Sequence, residues 1–331
     1  MKYTIALPRY LLLITLFMIN FVSYAIDSAA IQDQADVTIK ELYHTLNSMP
    51  NTSMAERINW ISNHFLGKVY ELGALGEGAK AHFDQYPQYR VDAFDCDTFV
   101  NTVLSLALAD SVESFKQCQK LDRYKNGKVA YIYRNHFMSL DWNINNQKRG
   151  ILKDITLDIQ DQKKQPVAIY AVALIDKPSW YAHKNLSTIR VQNPDKIRQQ
   201  NLLDELKMKG SHLEVATVKI PYIPFTALFT KDNQPNLYLF SQMPHGAIIQ
   251  IVRPNWDLRK IIGTSLNVSH LGFAIRKNGQ LYFRQASSQL GKVVDVPLVD
   301  YLKEAQSSPT IKGINVQIVL PKKPLSRDCG I

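Results

Sequence analysis

Phe94-Asp95-Cys96-Asp97-Thr98-Phe99-Val100 is the stretch around which the chain is organised. From Phe99 onward, apolar residues recur at helical spacing. Phe99, Val103, Leu106 and Ala107 fall on one line, with Val100, Leu104 and Leu108 beside it. A stripe that wide predicts a helix buried around most of its circumference. Asp92 and Asp95 are both candidate N-caps, and either places Cys96 near the helix start. There the unpaired N–H groups and the positive end of the helix dipole favour a thiolate, the form that attacks a carbonyl. The flanking Asp95 and Asp97 act the other way, since nearby anions raise a thiol pKa. A cationic histidine brought in from elsewhere would outweigh them. The competing reading is a buried structural cysteine, because free cysteine is among the most buried residue types.

On the N-terminal side, residues 1–25 read as a signal peptide. Lys2 and Arg9 form a basic start, residues 11–22 are almost wholly apolar, and Ser23-Tyr24-Ala25 is a small-x-small cleavage site. The apolar run is short for a membrane span, although an uncleaved anchor is the alternative. The expectation is an exported, periplasmic protein with no stable membrane insertion after cleavage. Residues 26–331 are expected to form a single elaborated domain. Residues 31–49 and a segment opened by the capping box Ser53-Met54-Ala55-Glu56 read as helices, and a glycine-rich loop over 67–78 precedes the Cys96 helix.

Beyond the Cys96 helix, residues 131–156 are mixed polar and aromatic with no clear period. Residues 167–175 and 215–220 read as strands, with a helix between them capped at Asn193-Pro194. The C-terminal third reads as β. Residues 247–252, 269–276, 281–286 and 314–320 have strand character, and Asn278-Gly279 is a strong two-residue hairpin turn. Helices first and an antiparallel sheet after predict an α+β fold, the N-terminal helices packed on the C-terminal sheet.

The formal charge of +10, or +8 with Lys2 and Arg9 set aside, suits an anionic polymer such as a cell envelope. No basic stripe interleaved with aromatics speaks for nucleic acid. Three cysteines, Cys96, Cys118 and Cys329, allow one disulfide and one free thiol. Pairing Cys118 with Cys329 would leave Cys96 free, but sequence does not decide it. No Cys/His cluster has zinc spacing, so neither metal nor cofactor is expected.

A cysteine nucleophile needs a base, and the base an orienter. A turn at Asn278-Gly279 pairs Lys277 with Gln280, which sets Gln285 opposite Gly272. His270 is then the diagonal neighbour of Gln285, within reach of long side chains. Gln285 can fix one imidazole nitrogen while the other faces Cys96, and Gly272 leaves room for that reach. An amide suffices in this third place because its task is orientation.

Asp95-Cys96 with Ser269-His270-Leu271-Gly272 resembles the Asp-Cys and Ser-His-x-Gly pair of the NlpC-type, papain-like cell-wall cysteine hydrolases. Phe65-Leu66-Gly67, Tyr70, Phe94 to Val100, Arg134-Asn135-His136-Phe137, Asp141-Trp142, Leu266 to Gly272 and Phe283 to Ser287 resemble one branch, the N-acetylmuramoyl-L-alanine amidase-like family. The resemblance runs from about residue 60 to 300 and is weakest over 157–245, read as a family-specific elaboration. It implies a papain-like fold and cleavage of the amide between N-acetylmuramic acid and L-Ala in muropeptides. Cys96, His270 and Gln285 would be catalytic, although relatives often carry histidine where this chain has Gln285. The resemblance also implies that Tyr70, Asp95 and Ser269 bind substrate, and Arg134, His136 and Trp142 are further candidates, core packing being the competing reading for Trp142. A γ-D-glutamyl endopeptidase and a non-catalytic peptidoglycan-binding module are the alternatives.

Overall fold

The computed structural model describes residues 27–49 and 51–330, so the signal peptide expected over 1–25 lies outside the described residues. Four helices lead the chain: α1 (Ser28–Leu46), α2 (Met54–His64), α3 (Cys96–Leu108) and α4 (Val112–Arg123). Asp27 caps α1, and the capping box Ser53/Glu56 opens α2. Of the two candidate caps for the Cys96 helix, Asp95 is the one used. Its Oδ1 accepts from the Thr98 N–H at 2.8 Å while Thr98 Oγ1 accepts from the Asp95 N–H at 2.9 Å. Every residue of α3 from Thr98 to Leu108 is buried, as its wide apolar stripe requires. Phe99 meets Phe94 and Phe273 edge-on, with ring centroids 5.7 and 5.9 Å apart. The sequence reading did not anticipate α4. Its twelve residues are mostly polar; buried Phe115 and Cys118, with Val112 and Leu121 partly buried beside them, anchor it to the core. A disulfide joins Cys118 to Cys329, with Cα atoms 5.1 Å apart, and Cys96 is the free cysteine. The bond ties the C-terminal tail to α4, and the Leu325 N–H also donates to the Leu108 carbonyl at the end of α3.

Among the described residues, ten strands form one curled sheet: β1 (Val69–Tyr70), β2 (Ala93–Phe94), β3 (Leu152–Asp154), β4 (Ile169–Asp176), β5 (Val215–Pro224), β6 (Ala247–Asp257), β7 (Ser265–Lys277), β8 (Gln280–Ser287), β9 (Lys292–Pro297) and β10 (Gly313–Val319). Their order is β2-β1-β9-β8-β7-β6-β10-β5-β4, with β3 on β10. The pairings are antiparallel except between β1 and β2. One face of β7, carrying Leu271, Phe273 and Ile275, shares a core with α1, α2, α3 and α4. The chain is therefore mixed α+β with the leading helices on the sheet. Arg284 of β8 fastens the two layers. Fully buried, it pairs with Asp295 on β9 and donates to the Asn59 carbonyl and Ser62 Oγ of α2 at 2.9 Å each. A second core lies under the opposite face of the sheet, and the helix Leu298–Ala305 closes it. β9 and this helix were also missed by the sequence reading.

Within 157–245, β4 and β5 pair over eight residues and lengthen the sheet at its far edge. β5 runs on through Pro221 to Pro224, four residues beyond its expected end at 220. The helix between them spans Lys196–Ser211 and its cap is Asp195, which corrects the expected Asn193-Pro194 start. The Asp195 carboxylate accepts from the Ile197 and Arg198 N–H groups, leaving Pro194 outside the helix. Among the described residues no helix is long and apolar enough to cross a membrane.

Candidate active site

β2 leads directly into α3, so Cys96 stands at the first helical position, half-buried. The parallel pairing of Tyr70 with Phe94 brings Tyr70 alongside. β7 supplies the histidine. Its pairing with β6 runs Ile251 with His270 and then Val252 with Val268, so β7 advances two residues while β6 advances one. Ser269 is the extra residue of a β-bulge. A bulge turns neighbouring side chains to one side, and Ser269 and His270 both line the cleft that holds Cys96, a cavity of about 230 Å³. Strict alternation would have sent one of them into the core. The backbones of Leu271 and Asp97 act on the Cys96 thiol in the lowering direction, as hydrogen-bond donors do.

The hairpin register is the expected one. Asn278 and Gly279 take positive φ (48° and 83°), and the pairs run from Lys277–Gln280 to Phe273–Arg284. The next position is Gly272. A Cβ there would stand 2.5 Å from the Arg284 carbonyl oxygen, 2.7 Å from the Phe283 ring and 3.1 Å from Gln285 Cβ. The missing side chain thus lets β8 close on β7, and across that close approach Gln285 Oε1 accepts a hydrogen bond from His270 Nε2. Nε2 then carries the ring proton, and Nδ1 keeps its lone pair for another partner.

The charge state differs from the sequence expectation of a thiolate beside a cationic imidazole. Burial, then the carboxylates of Asp95 and Asp97, push the Cys96 thiol up. Burial pulls the His270 pKa down to about 4, against the raising effects of Gln285 and Asp95. Both groups are neutral near pH 7, because the site offers neither ion a full partner. Such a set can still do acyl transfer if the proton moves from sulfur to nitrogen as the S–C bond forms. Asp97 also faces the cleft. Burial and Asp95 push its carboxyl up to about 7, and Asn101 Nδ2 holds it at 2.8 Å.

The expected substrate-binding residues divide. Asp95, Ser269, Arg134 and His136 line the same cleft as Cys96. Tyr70 is half-buried beside it, its phenol pushed up to about 12 by burial and by the charges of Cys96 and Asp95, so it is a hydrogen-bond donor at neutral pH. Asp95 Oδ2 also accepts from the Gly73 N–H at 2.8 Å, tying the glycine-rich loop to the α3 cap. Arg134 is largely engaged, bonded to Glu77 and to Asp84 at 2.9 Å. Burial, then Arg134 and Lys184, hold His136 neutral, and its Nε2 donates to the Tyr131 carbonyl at 3.0 Å. Trp142 is the correction. It is 1 % exposed, and its indole N–H donates to Asn101 Oδ1 at 2.7 Å. It supports Asn101, and through it Asp97, from inside the core instead of touching a ligand.

His270, Ser269 and Gln285 also line a second cavity of about 290 Å³, which Arg253, Trp256 and Tyr301 complete. Tyr301 stands with its ring 6.3 Å from that of His270 and within electrostatic reach of Cys96. None of these three was singled out from the sequence, since their helix and the end of β6 carry no motif. A further hollow, of about 820 Å³, lies between Gln32, His82, Tyr131 and Glu205 and contains none of the candidate catalytic side chains. Its size alone does not make it the site of chemistry. Among the described residues no group of three or more His, Cys, Asp or Glu could hold a metal ion.

A crystal structure of a Legionella pneumophila protein of the DUF1460 family is 64% identical, covers 91% of this chain and 99% of its own, and superposes with a TM-score of 0.88. An N-acetylmuramoyl-L-alanine amidase from Bacteroides uniformis is 23% identical over 81% of this chain and 99% of its own, with a TM-score of 0.55, a likeness of fold. A search of curated proteins returns no match. The family model for AmiA-like proteins, described as N-acetylmuramoyl-L-alanine amidase-like, matches residues 60–311, and the chain belongs to that family.

Proposed function

We propose that this chain is an exported, periplasmic cysteine amidase with a papain-like, NlpC-type active site. Its substrate would be peptidoglycan fragments, and the bond cut would be the amide between N-acetylmuramic acid and L-Ala. Family membership supports an amidase acting on peptidoglycan. The observation that carries the mechanism is the bond from His270 to Gln285 in a histidine that shares one cleft with Cys96.

In this reading His270 Nδ1 takes the thiol proton as Cys96 Sγ bonds to the lactyl carbonyl carbon. The oxyanion is met by backbone N–H groups at the start of α3. Collapse breaks the C–N bond, the amine leaves with the proton from His270, and a thioester remains. Water, deprotonated by His270, then releases the muramic acid carboxylate and restores the thiol. Gln285 fixes the ring throughout. Tyr70, Asp95 and Ser269 receive the polar groups around the scissile bond, and Arg134 and His136 shape the wall of the cleft. No metal takes part, so activity persists in EDTA; loss restored by zinc would contradict this.

The test is to digest N-acetylmuramyl peptides of defined length and weigh the products. Free N-acetylmuramic acid and an intact peptide beginning with L-Ala support the reading. Cleavage after D-glutamate would make the enzyme an endopeptidase, and binding without cleavage would make it a peptidoglycan-binding module.

A further inference from the structure

We propose that the cavity beyond His270 is the subsite for the leaving peptide and that Arg253 binds a carboxylate of that peptide there. This rests on the amidase reading above. Cys96 lines only the first cleft, whereas His270 and Ser269 line both cavities. The acyl carbon must sit at Cys96, and the departing nitrogen must reach His270 to collect its proton. The peptide carried by that nitrogen therefore continues past His270, into the second cavity.

Arg253 is built into that cavity. The pairing of β6 with β7 slips again between Val252 and Trp256, with Asn255 in the left-handed region (φ 46°), and this irregularity carries Arg253 into the cavity wall. Its Nε donates to Ser269 Oγ at 3.1 Å and its Nη1 to Thr310 Oγ1 at 3.0 Å. Its guanidinium lies 4.2 Å from the centroid of the Trp256 ring. Among the described residues no carboxylate lies within ion-pair distance of it, although eleven other arginine and lysine side chains there have such a partner at 2.9 Å or less. Glu304, at the exposed rim, makes no pair with it. A half-buried guanidinium held by two neutral hydroxyls and one ring is pre-oriented, and it keeps donors for a planar anion. Burial without an anion pulls its pKa down, which a bound carboxylate would reverse. The second residue of the stem peptide, D-glutamate, brings such carboxylates one residue from the scissile amide. The ligand class is thus an acidic peptide with an L-Ala N-terminus.

The experiment compares N-acetylmuramyl-L-Ala-D-Glu with the same compound having both glutamyl carboxylates converted to carboxamides. Wild-type kcat/KM should favour the free acid about tenfold to a hundredfold, the effect of one or two charge-assisted hydrogen bonds. Arg253→Gln should bring the ratio of the two substrates close to one, and Arg253→Lys should restore part of it. Equal rates for the two compounds with the wild type, or a ratio that survives Arg253→Gln, would overturn the proposal. If neither compound is cut, the amidase reading fails, and calorimetry with L-Ala-D-Glu alone decides the subsite. Binding weakened at least tenfold by Arg253→Gln supports it, and equal affinity overturns it.

Discussion

Two sets of ionisable groups border the Cys96 cleft, and they differ in how their charges are partnered. Cys96 and His270 have no full counter-ion, and both are driven to the neutral form. Arg134, Glu77, Asp84 and Arg190 lie next to them, and there each charged group has an opposite one in contact. Arg190 and Arg123 also bind carbonyls of the loop that lines the cleft, at Leu75 and Gly76. Burial without a counter-ion therefore leaves a neutral pair in one place, and paired charges build an ionic wall in the other. The pairing of charge decides which, and this predicts where substitutions cost rate and where they cost stability.

The largest contrast comes from removing one member of each set. Gln285→Ala should lower kcat by roughly 10- to 10⁴-fold, and more than it raises KM, with little change in melting temperature, since a triad orienter acts on geometry. Gln285→His should keep much of the activity, because imidazole can hold the same bond. A wild-type rate for Gln285→Ala would mean that another residue orients His270. Arg134→Met should instead cost about 3–5 kcal/mol of stability, measured by denaturant unfolding, because Glu77 and Asp84 lose a buried partner. Unchanged stability would show that the ionic wall is not structural.

A smaller effect sharpens the electrostatic side. Since burial holds the His270 pKa at about 4, the base is in its working, neutral form above that value. The acid limb of kcat/KM should therefore fall near pH 4, well below the ordinary histidine value, the rate rising with pH through it. A limb near 6.5 would mean that the imidazole is solvated. Asp97→Asn removes one of the anions that raise the thiol pKa, so the rate of Cys96 alkylation should rise at neutral pH, its midpoint moving to lower pH. Trp142→Phe should cost about 1–3 kcal/mol of stability through the orphaned Asn101 and slow catalysis less than Gln285→Ala does.

Much of this was legible where a local rule acts without competition. The two candidate caps, Asp92 and Asp95, bracketed the start of α3, and the apolar stripe gave its depth. The Asn278-Gly279 turn set a register from which the contact between His270 and Gln285 follows by counting. What was not legible depends on irregularity or on distant packing. The bulge at Ser269 has no sequence signature, yet it puts two successive side chains in one cleft. Asp195 took a cap expected at Asn193, because its carboxylate reaches two free N–H groups and Pro194 has none to offer. The thiolate expectation failed because a helix start was weighed without the burial around it. Trp142 was read beside polar neighbours that suggested a ligand site, whereas its partner, Asn101, lies on the buried face of α3. Arg253 gave no signal at all, since its unpaired state is a property of the fold.

The central claim is that Cys96 is the nucleophile of an amide hydrolysis. Purified wild type and Cys96→Ala should be matched by circular dichroism and thermal melting, with stabilities within about 1–2 kcal/mol. Each should then be incubated with the same N-acetylmuramyl-L-Ala peptide while the release of N-acetylmuramic acid is followed by mass spectrometry. The account predicts release by the wild type and none above background by the folded Cys96→Ala variant. Release by Cys96→Ala at a substantial fraction of the wild-type rate would contradict it.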